Sequence, residues 1–493
     1  MNKITYFTAV FALALVFGCD RHLNLTPVSY ITGSSFFKTE DDAEGAINGL
    51  YVQMRNDAAL NYFIWGEARS EMMESALAGT LGYDRYYKNS LSVTHAGPQW
   101  NNLYSLINQC NLALKYIPQI AFSNENEKND LLAQAYTMRA YAYYTLVRLF
   151  GGVPKRTEPF ESYDPAKVQL PRTPEEDIFT FIKDDISKAE GLFHDNTIPS
   201  GRCKWSYPAL MAFKGDVYLW TAKVRNGGDE DVTTALNALE EVRKADVGLL
   251  DEYDRIFRYD NKGNREILMS IRFLINESGE QSFAHAMYAV NNADYPAYVP
   301  KEVKDRIGTP KAGNGNIWRI TAAVRNQFSA DDSRKDATFI NVQSADGRSY
   351  FTNYGMKFRG AIELGARYFL DDWIVYRYAD VLLMIAEAKN ALGQDPSPEI
   401  NEVRKRAYGD SYDDHIFVNG TKSVNDDAIL KERLFELSLE GKRWWDLIRF
   451  DKVYTLVPSL KNTKDHIPLL WPLSLDTMTR ETLVGQTPGY ATN

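Results

Sequence analysis

The segment from Ala135 to Pro154, AYTMRAYAYYTLVRLFGGVP, is the part of the sequence that most constrains the fold. Apolar residues in and just before it recur every three or four positions, which places them on one helical face. They are Leu132, Tyr136, Ala140, Tyr143, Val147 and Phe150. Gly151 and Gly152 end this helix, and Pro154 prevents its resumption. Because Arg139 and Arg148 interrupt an aromatic surface, we expect each to need a carboxylate or carbonyl partner. The segment therefore predicts a buried core helix.

Similar periodicity elsewhere predicts further helices joined by short connections. After a helix that opens at Thr39, the predicted helices of the first half are 98–117, 127–150, 174–193, 206–226 and 231–245. Those of the last third are 373–392, 397–408 and 425–443, the last capped by Asn425 or Asp426. We expect the first half to contain two antiparallel pairs, 98–117 with 127–150 and 174–193 with 206–226. Such pairs favour a mainly α, tetratricopeptide-like solenoid.

Between about residues 247 and 370 the helical pattern is lost. Gly, Asn and Asp separate short β-prone runs such as Glu266–Ile271 and Tyr350–Phe351, which predicts an irregular, loop-rich lobe with short strands. Residues 58–97 are also predicted to be mostly loop, and the tail from 465 onward is predicted to be extended. The expected division is a leader at 1–18, a tether at 19–38, a helical region at 39–246, the lobe at 247–370, and a second helical region with the tail at 371–493.

The N-terminus has the anatomy of a signal peptide. Lys3 precedes an apolar run of 14 residues, Ile4–Phe17, which is shorter than the roughly 20 residues that span a bilayer. The run ends in Val16-Phe17-Gly18-Cys19, which resembles the bacterial lipobox. We therefore expect cleavage before Cys19 and a lipid anchor on this residue, so that the protein sits on a membrane without crossing it. The alternative is an ordinary signal peptide followed by a structural cysteine.

Charge and metal-ligand patterns exclude several classes of function. The chain carries 65 Asp and Glu against 56 Lys and Arg, a net charge of −9, whereas nucleic-acid binders more often show a basic excess. Six scattered histidines form no His-Glu-x-x-His motif, and no paired cysteines have zinc spacing. We therefore expect no metal, no cofactor and no nucleic-acid partner. Cys110 and Cys203 either form one disulfide or remain two buried thiols.

The acidic residues do not form a recognisable catalytic pattern. Glycosidases use two carboxylates that face each other across a cleft, and neighbours in sequence do not specify that geometry. We expect the adjacent acid pairs to be solvated or to cap helices. They are Asp41/Asp42, Asp184/Asp185, Asp331/Asp332, Asp371/Asp372 and Asp413/Asp414. Neither a Gly-x-Ser-x-Gly elbow nor a phosphate-binding loop is present, so we expect no enzyme activity.

Charged residues of the last third have structural interpretations. Asp380 and Glu387 lie on a predicted helix and are expected to pair with arginines of neighbouring helices. A second set follows at spacings of three, four and three, which predicts ion pairs within one helix. This set is Arg433, Glu436, Glu440 and Arg443.

Aromatic residues provide the best candidates for ligand binding. The chain has 30 Tyr, 24 Phe and 9 Trp, and many of these rings are expected to be partly exposed. A sugar ring has an apolar face and a rim of hydroxyls, which suits an aromatic platform flanked by Asn, Asp, Arg or Lys. Two predicted loop regions have this composition. The candidate ligand-binding residues are Tyr83, Arg85, Tyr86 and Tyr87 in the first, and Tyr288, Asn292, Tyr295, Tyr298, Trp318 and Arg319 in the second.

Four segments resemble the SusD/RagB family in the expected order. RAYAYYTLVRLFGGVP is similar to the R-A-x-x-Y-Y-x-L-V-R-L-[FY]-G-x-V-P segment of that family. The other three resembling segments are Tyr376–Met384 with Ala386–Ala388, Glu432–Glu436 with Glu440–Leu447, and Leu470–Pro472 with Gln486–Tyr490. The resemblance spans most of the chain, but it supplies no fixed motif of ligand residues.

The resemblance implies a nutrient-binding lipoprotein on the outer face of the outer membrane. Such a protein captures a glycan or oligosaccharide and delivers it to a TonB-dependent, SusC-like transporter. A peptide receptor of the same type is an alternative and predicts competition by peptides. A surface-anchored glycoside hydrolase predicts product release, and a purely structural lid for the transporter predicts no soluble ligand.

Overall fold

The computed structural model describes residues 36–79, 82–161, 168–290, 295–313, 315–461, 463 and 467–490. The leader, Cys19, most of the tether and Asn292 lie outside the described residues, so the lipid anchor and the role of Asn292 stay predictions. None of the described helices is long and apolar enough to cross a membrane.

The N-terminal helices form largely where the sequence predicts them. They are α1 (Glu40–Ala58), α2 (Asn61–Gly66), α3 (Asp84–Tyr87), α4 (Asn101–Tyr116), α5 (Glu125–Phe150), α6 (Glu175–Leu192), α7 (Tyr207–Val224) and α8 (Gly228–Val242). Thr39 caps α1 in a capping box with Asp42, as its sequence indicates. The core helix α5 ends at Gly151, whose φ of 72° is readily adopted only by glycine.

The lobe contains short helices and strands. The helices are α9 (Ser282–Ala286), α10 (Lys301–Ile307), α11 (Ala322–Arg325) and α12 (Ser333–Thr338). The strands, with one from the first predicted loop, are β1 (Met73–Ser75), β2 (Ile267–Ile271), β3 (Trp318–Ile320), β4 (Phe339–Gln343), β5 (Tyr350–Gly355), β6 (Ala361–Glu363), β7 (Ala366–Tyr368) and β8 (Trp373–Arg377). They form antiparallel pairs, β1 with β3, β2 with β8, β4 with β5 and β6 with β7. The pairing of β2 with β8 connects the two ends of the lobe.

The C-terminal helices differ from the prediction at three boundaries. They are α13 (Tyr378–Ala391), α14 (Ser397–Tyr408), α15 (Lys422–Leu437), α16 (Arg443–Arg449), α17 (Val453–Leu456) and α18 (Leu475–Arg480). The start of the helix predicted at 373–392 is wrong, because its first five residues form β8. The helix predicted at 425–443 begins at Lys422, and its cap is Thr421 rather than Asn425 or Asp426. It ends at Leu437, because Leu439 and Gly441 adopt positive φ.

The helices pack in neighbouring pairs, which confirms the tetratricopeptide-like fold. The predicted contact of α4 with α5 is present, and α5 in turn packs on α6. The predicted contact of α6 with α7 is also present, although the main partner of α7 is α8. The helices that flank the lobe in the sequence also pack together: α8 contacts α13, and α13 contacts α14 and α15. The tail returns to the core helix, since the Trp471 amide donates to the Leu149 carbonyl at 2.7 Å. The exact domain boundaries stay a prediction.

Several acidic residues that were expected at the surface are buried. Asp185 accepts two hydrogen bonds of 2.8 Å from Arg139, which gives that arginine its expected partner. Asp332 does cap α12, but it is also buried against Arg334. Asp371 and Asp372 are also buried. The expected solvated or capping role is confirmed for Asp41/Asp42 and Asp413/Asp414 and is wrong for Asp185, Asp371 and Asp372.

The predicted ion pairs within one helix are also wrong. Arg433 instead contacts Asp380 and Asp446, each at 2.9 Å, which confirms the expected arginine partner of Asp380. Glu436 and Glu440 both contact Arg377, at 2.6 and 2.8 Å. The partner of Arg443 is Glu71. The physical reason is that α15 ends before Glu440, so the four side chains do not share one helical face.

Two further expectations concern Arg148 and the cysteines. The Nε of Arg148 donates to the Tyr144 carbonyl at 3.3 Å, and its guanidinium lies over the Tyr144 and Trp445 rings. Cys110 and Cys203 are both free thiols, so the disulfide alternative is wrong; Cys110 is buried as expected, whereas Cys203 is half-buried. Burial raises the pKa of Cys110 well above that of an ordinary thiol.

Candidate ligand-binding surface

The pairing of β1 with β3 brings together the two loop regions that the sequence singled out. Its register aligns Met73 with Ile320, Glu74 with Arg319 and Ser75 with Trp318. The short helix α3 packs on β1, and β5 packs beside β3. The result is a partly exposed surface made by four segments. We call it the platform surface and define it by Glu74, Tyr83, Arg85, Tyr87, Arg319 and Tyr350.

Tyr83 is positioned by buried aromatic rings beneath it. Its ring centroid lies 4.7 Å from that of Trp318, in an edge-to-face arrangement, and 6.0 Å from that of Tyr86. Tyr86 lies in turn 5.8 Å from Trp471 of the tail. Tyr83 itself remains half-buried, whereas Trp318 is only 1% exposed. The platform ring is therefore held directly by Trp318 and Tyr86, and Tyr86 is held in turn by Trp471.

An ion pair lies across the middle of the platform surface. Arg319 Nε contacts Glu74 Oε1 at 2.8 Å, and the two side chains are 25% and 38% exposed. The Arg319 guanidinium also lies 5.5 Å from the Tyr350 ring centroid. Asn353 donates to the Tyr350 hydroxyl at 2.8 Å, which fixes that ring against β5. The charges of Glu74 and Arg319 compensate each other, and both side chains remain partly exposed.

The helix α3 contributes a second half-buried ring and a cation. Burial raises the pKa of Tyr87, whose hydroxyl is buried without a hydrogen-bond partner among the described residues. Asp84 pairs with Lys88 at 2.8 Å, and this hydrogen bond lowers the pKa of Asp84. Arg85 makes no ion pair with the residues that the structure describes, so its charge is available at the rim of the platform surface.

Several of the predicted platform rings are buried instead. Tyr288 is fully buried, and its hydroxyl donates to the Ile307 carbonyl at 2.6 Å. Trp318, Tyr86 and Tyr295 are also buried, with 1%, 7% and 8% exposure. The expectation that these four rings present a face to solvent is wrong, because their apolar surface packs in the core. The remaining aromatic candidate of the second loop, Tyr298, is 42% exposed.

Sequence reasoning missed two members of the platform surface. Tyr350 appeared only as part of a β-prone run, and Glu74 lay in a segment predicted as loop. The signal for Tyr350 was its position at the start of a strand after the turn Asp346–Ser349. Within the described residues, no group of three or more His, Cys, Asp or Glu side chains is arranged to hold a metal ion. The platform surface therefore offers ring faces, hydroxyls and compensated charges.

Family models match both halves of the chain. One, described as the SusD family, matches residues 314–490. Another, described as starch-binding and associating with the outer membrane, matches residues 37–219. The first match includes β3 and β5, and the second includes β1 and α3. The platform surface is thus built from both matched regions.

Related proteins match almost the whole chain. SusD-like protein P38 of Formosa agariphila is 27% identical over 95% of each chain. The structure of B. fragilis NanU is 32% identical, with a TM-score of 0.81, and the match covers 94% of this chain and all of that one. A SusD superfamily protein from Bacteroides vulgatus is 30% identical, with a TM-score of 0.83, over 92% of this chain and all of that one.

Proposed function

Since this chain belongs to the SusD/RagB family, we propose that it is a non-catalytic, cell-surface lipoprotein that captures a glycan or oligosaccharide. In this proposal Cys19 carries the lipid, and the protein faces outward from the outer membrane. It delivers its ligand to a TonB-dependent, SusC-like transporter. The family description that joins starch binding with the outer membrane supports both the ligand class and the location.

The observation that carries the proposal is the platform surface. The half-buried rings of Tyr83 and Tyr87 come from the two ends of α3 and that of Tyr350 from β5; Tyr83 packs on Trp318, and Tyr350 accepts a hydrogen bond from Asn353. Sugar rings stack on such amphipathic rings, and their hydroxyls bond to nearby charged groups such as Glu74 and Arg319. A rigid surface also loses little conformational entropy when a ligand binds.

Capture fits this surface better than cleavage does. A glycoside hydrolase needs a general acid whose pKa is raised and a second carboxylate across a cleft. Glu74 is paired with Arg319, and the pKa of Asp84 is lowered by Lys88. Asp84 is therefore stabilised in the charged form, which cannot donate a proton to a leaving group, and Glu74 is held in its ion pair with Arg319.

The proposal is tested by calorimetric titration of the purified full chain with a defined panel. The panel contains malto-, laminari-, cello- and xylo-oligosaccharides, uronic-acid oligosaccharides and mixed peptides, and the same samples are analysed for products. We expect one glycan class to bind without turnover. Turnover would replace the proposal with a hydrolase, and binding of peptides alone would replace it with a peptide receptor.

Variants of the platform surface locate the binding site. Tyr83→Ala and Tyr350→Ala each remove one ring contact of about 1 kcal/mol, so we expect the affinity to fall roughly fivefold in each. Tyr412→Ala is the matched control, because Tyr412 is also half-buried but lies in the 3-10 helix Gly409–His415 beside α14. Equal affinities of all three variants and the wild type would exclude the platform surface as the site.

The proposed partner is tested by purifying the tagged chain from outer membranes of its own host. We expect a TonB-dependent β-barrel transporter to remain bound and to be identified by mass spectrometry. A stable complex with the transporter, together with no detectable binding of any member of the ligand panel, would favour the structural lid.

A further inference from the structure

A second groove lies where the N-terminal half of α4 meets the segment after the core helix and the end of the tail. Its cavity volume is about 430 Å³, which is within the range of roughly 300–1,000 Å³ typical of small-ligand sites. None of the residues that define the platform surface lines it. We call it the α4 groove. Its lining residues are Trp100, Asn101, Tyr104, Ser105, Asn108, Gln109, Arg156, Phe160 and Glu481.

The floor of the α4 groove is rigid. Tyr104 is buried, and its hydroxyl donates to the Pro154 carbonyl at 2.8 Å. Arg156 lies 4.6 Å from the Tyr104 ring centroid and donates from Nη2 to both carboxylate oxygens of Glu481, at 2.8 and 2.9 Å. The Phe160 amide donates to Asn108 Oδ1 at 2.7 Å, which fixes one wall to α4. The shape of the groove is therefore set by contacts between three distant parts of the chain.

One donor in the floor lacks a partner. Arg156 is only 7% exposed, yet its Nε makes no hydrogen bond with the described part of the protein. This N–H is itself screened from the groove, so it does not serve as a donor to a ligand. The Glu481 carboxylate already compensates the charge of Arg156. Because the charge of the floor is compensated, the groove favours a neutral ligand over an anion.

Residues at the rim of the groove supply neutral side chains that can both donate and accept hydrogen bonds. Asn101, Ser105 and Gln109 lie on one face of α4, at spacings of four, and their side chains make no hydrogen bond with described residues. Amides and hydroxyls both donate and accept, as do the hydroxyls of a sugar. Phe160 adds an apolar ring on the opposite wall.

We propose that the α4 groove is a second saccharide site, which binds a neutral disaccharide-sized unit independently of the platform surface. The proposal rests on the proposed function only in its class of ligand. Two sites on one rigid protein would raise the avidity for a long glycan, because the second contact becomes intramolecular.

The test uses saturation-transfer NMR on the full chain with maltose, cellobiose, lactose and laminaribiose as probes. Ser105→Trp fills the groove from an exposed helix position, so the protein is expected to fold and the disaccharide signal to be lost. Asn101→Ala/Gln109→Ala removes rim hydrogen bonds without filling the space and should weaken binding roughly tenfold or more. Tyr412→Ala should match the wild type, and thermal melting checks that each variant is folded.

The platform variants separate this proposal from the proposed function. A disaccharide signal that survives in Tyr83→Ala/Tyr350→Ala and disappears in Ser105→Trp would support the second site. A signal that Ser105→Trp leaves intact in the Tyr83→Ala/Tyr350→Ala background, or the absence of any disaccharide signal in the wild type, would overturn it. Calorimetry with hexasaccharides then shows whether the platform surface still binds, so either proposal can fail without the other.

Discussion

Replacing Glu387 with glutamine should destabilise the protein strongly at neutral pH and weakly in acid. Glu387 is fully buried on α13 and accepts hydrogen bonds from Arg449 at 2.8 and 2.9 Å and from Lys223 at 3.0 Å. Burial alone would raise its pKa, but attraction to these two cations outweighs burial and lowers the pKa from 4.5 to about 2. This shift corresponds to about 3 kcal/mol of stability when the carboxylate is charged.

The pH dependence of the stability follows from the direction of the pKa shift of Glu387. Because the folded pKa of Glu387 is depressed, its contribution is fully present above the unfolded pKa of 4.5 and is lost as the pH falls toward 2. Glutamine resembles the protonated carboxyl. Glu387→Gln therefore removes the same stabilisation that protonation of Glu387 removes from the wild type in acid. We expect the variant to lose about 3 kcal/mol of unfolding free energy at pH 7 and only about 1 kcal/mol at pH 3.

Urea denaturation of both proteins at the two pH values measures this difference. Asp305→Asn is the control, because it breaks the exposed pair between Asp305 and Lys301 and should leave the urea midpoint unchanged. A loss below about 1 kcal/mol at pH 7, or an equal loss at both pH values, would refute the argument that buried cations hold Glu387 in its charged form.

Three further predictions concern the core and the first helix. Burial raises the pKa of Glu67 to about 8, so stability should fall as the pH rises from the ordinary 4.5 toward 8. Glu67→Gln should therefore raise the melting temperature relative to the wild type more at pH 8 than at pH 5, and an equal effect at both would contradict this. Thr39→Ala removes the capping box with Asp42 and should cost about 1 kcal/mol in urea unfolding; no change would show that α1 is held by packing alone. A thiol reagent should label half-buried Cys203 in the native protein and Cys110 only after unfolding, and rapid native labelling of Cys110 would contradict its burial.

Helices were predictable where one face carries the apolar residues. The predicted bounds of the helix containing Ala140 and of its neighbour α4 lie within a few residues of the observed ones. The strand β8 was mistaken for helix because every residue before Arg377 in it is apolar or aromatic. All five of its residues are buried, so both faces of the strand lie in the core. A short apolar run of this kind shows neither helical nor strand periodicity. Only the pairing of this run with β2, about a hundred residues earlier in the chain, shows that it is a strand and not a helix.

The candidate site was predictable in composition but not in geometry. Sequence reasoning named Tyr83, Tyr87 and Arg319, which the β1–β3 pairing brings onto one surface. It could not distinguish them from Trp318 and Tyr288, which have the same residue chemistry but are buried. Burial of an aromatic ring depends on tertiary packing, and local sequence around a loop carries little information about it.

The segments that resemble the SusD/RagB family do not form the platform surface. Their charged residues meet in the core, where Arg377 contacts Glu436 and Glu440, and Arg433 contacts Asp380. Well-packed apolar residues of similar volume would often be at least as stabilising as such buried ion pairs. We therefore infer that these charges specify which segments meet, since an unpaired charge in the core would be strongly unfavourable. The rings of the platform surface come from α3, β5 and the loops around β1 and β3, away from these paired charges. The segments that identify the family therefore specify the core, and we expect substitutions of the platform rings to leave its ion pairs in place.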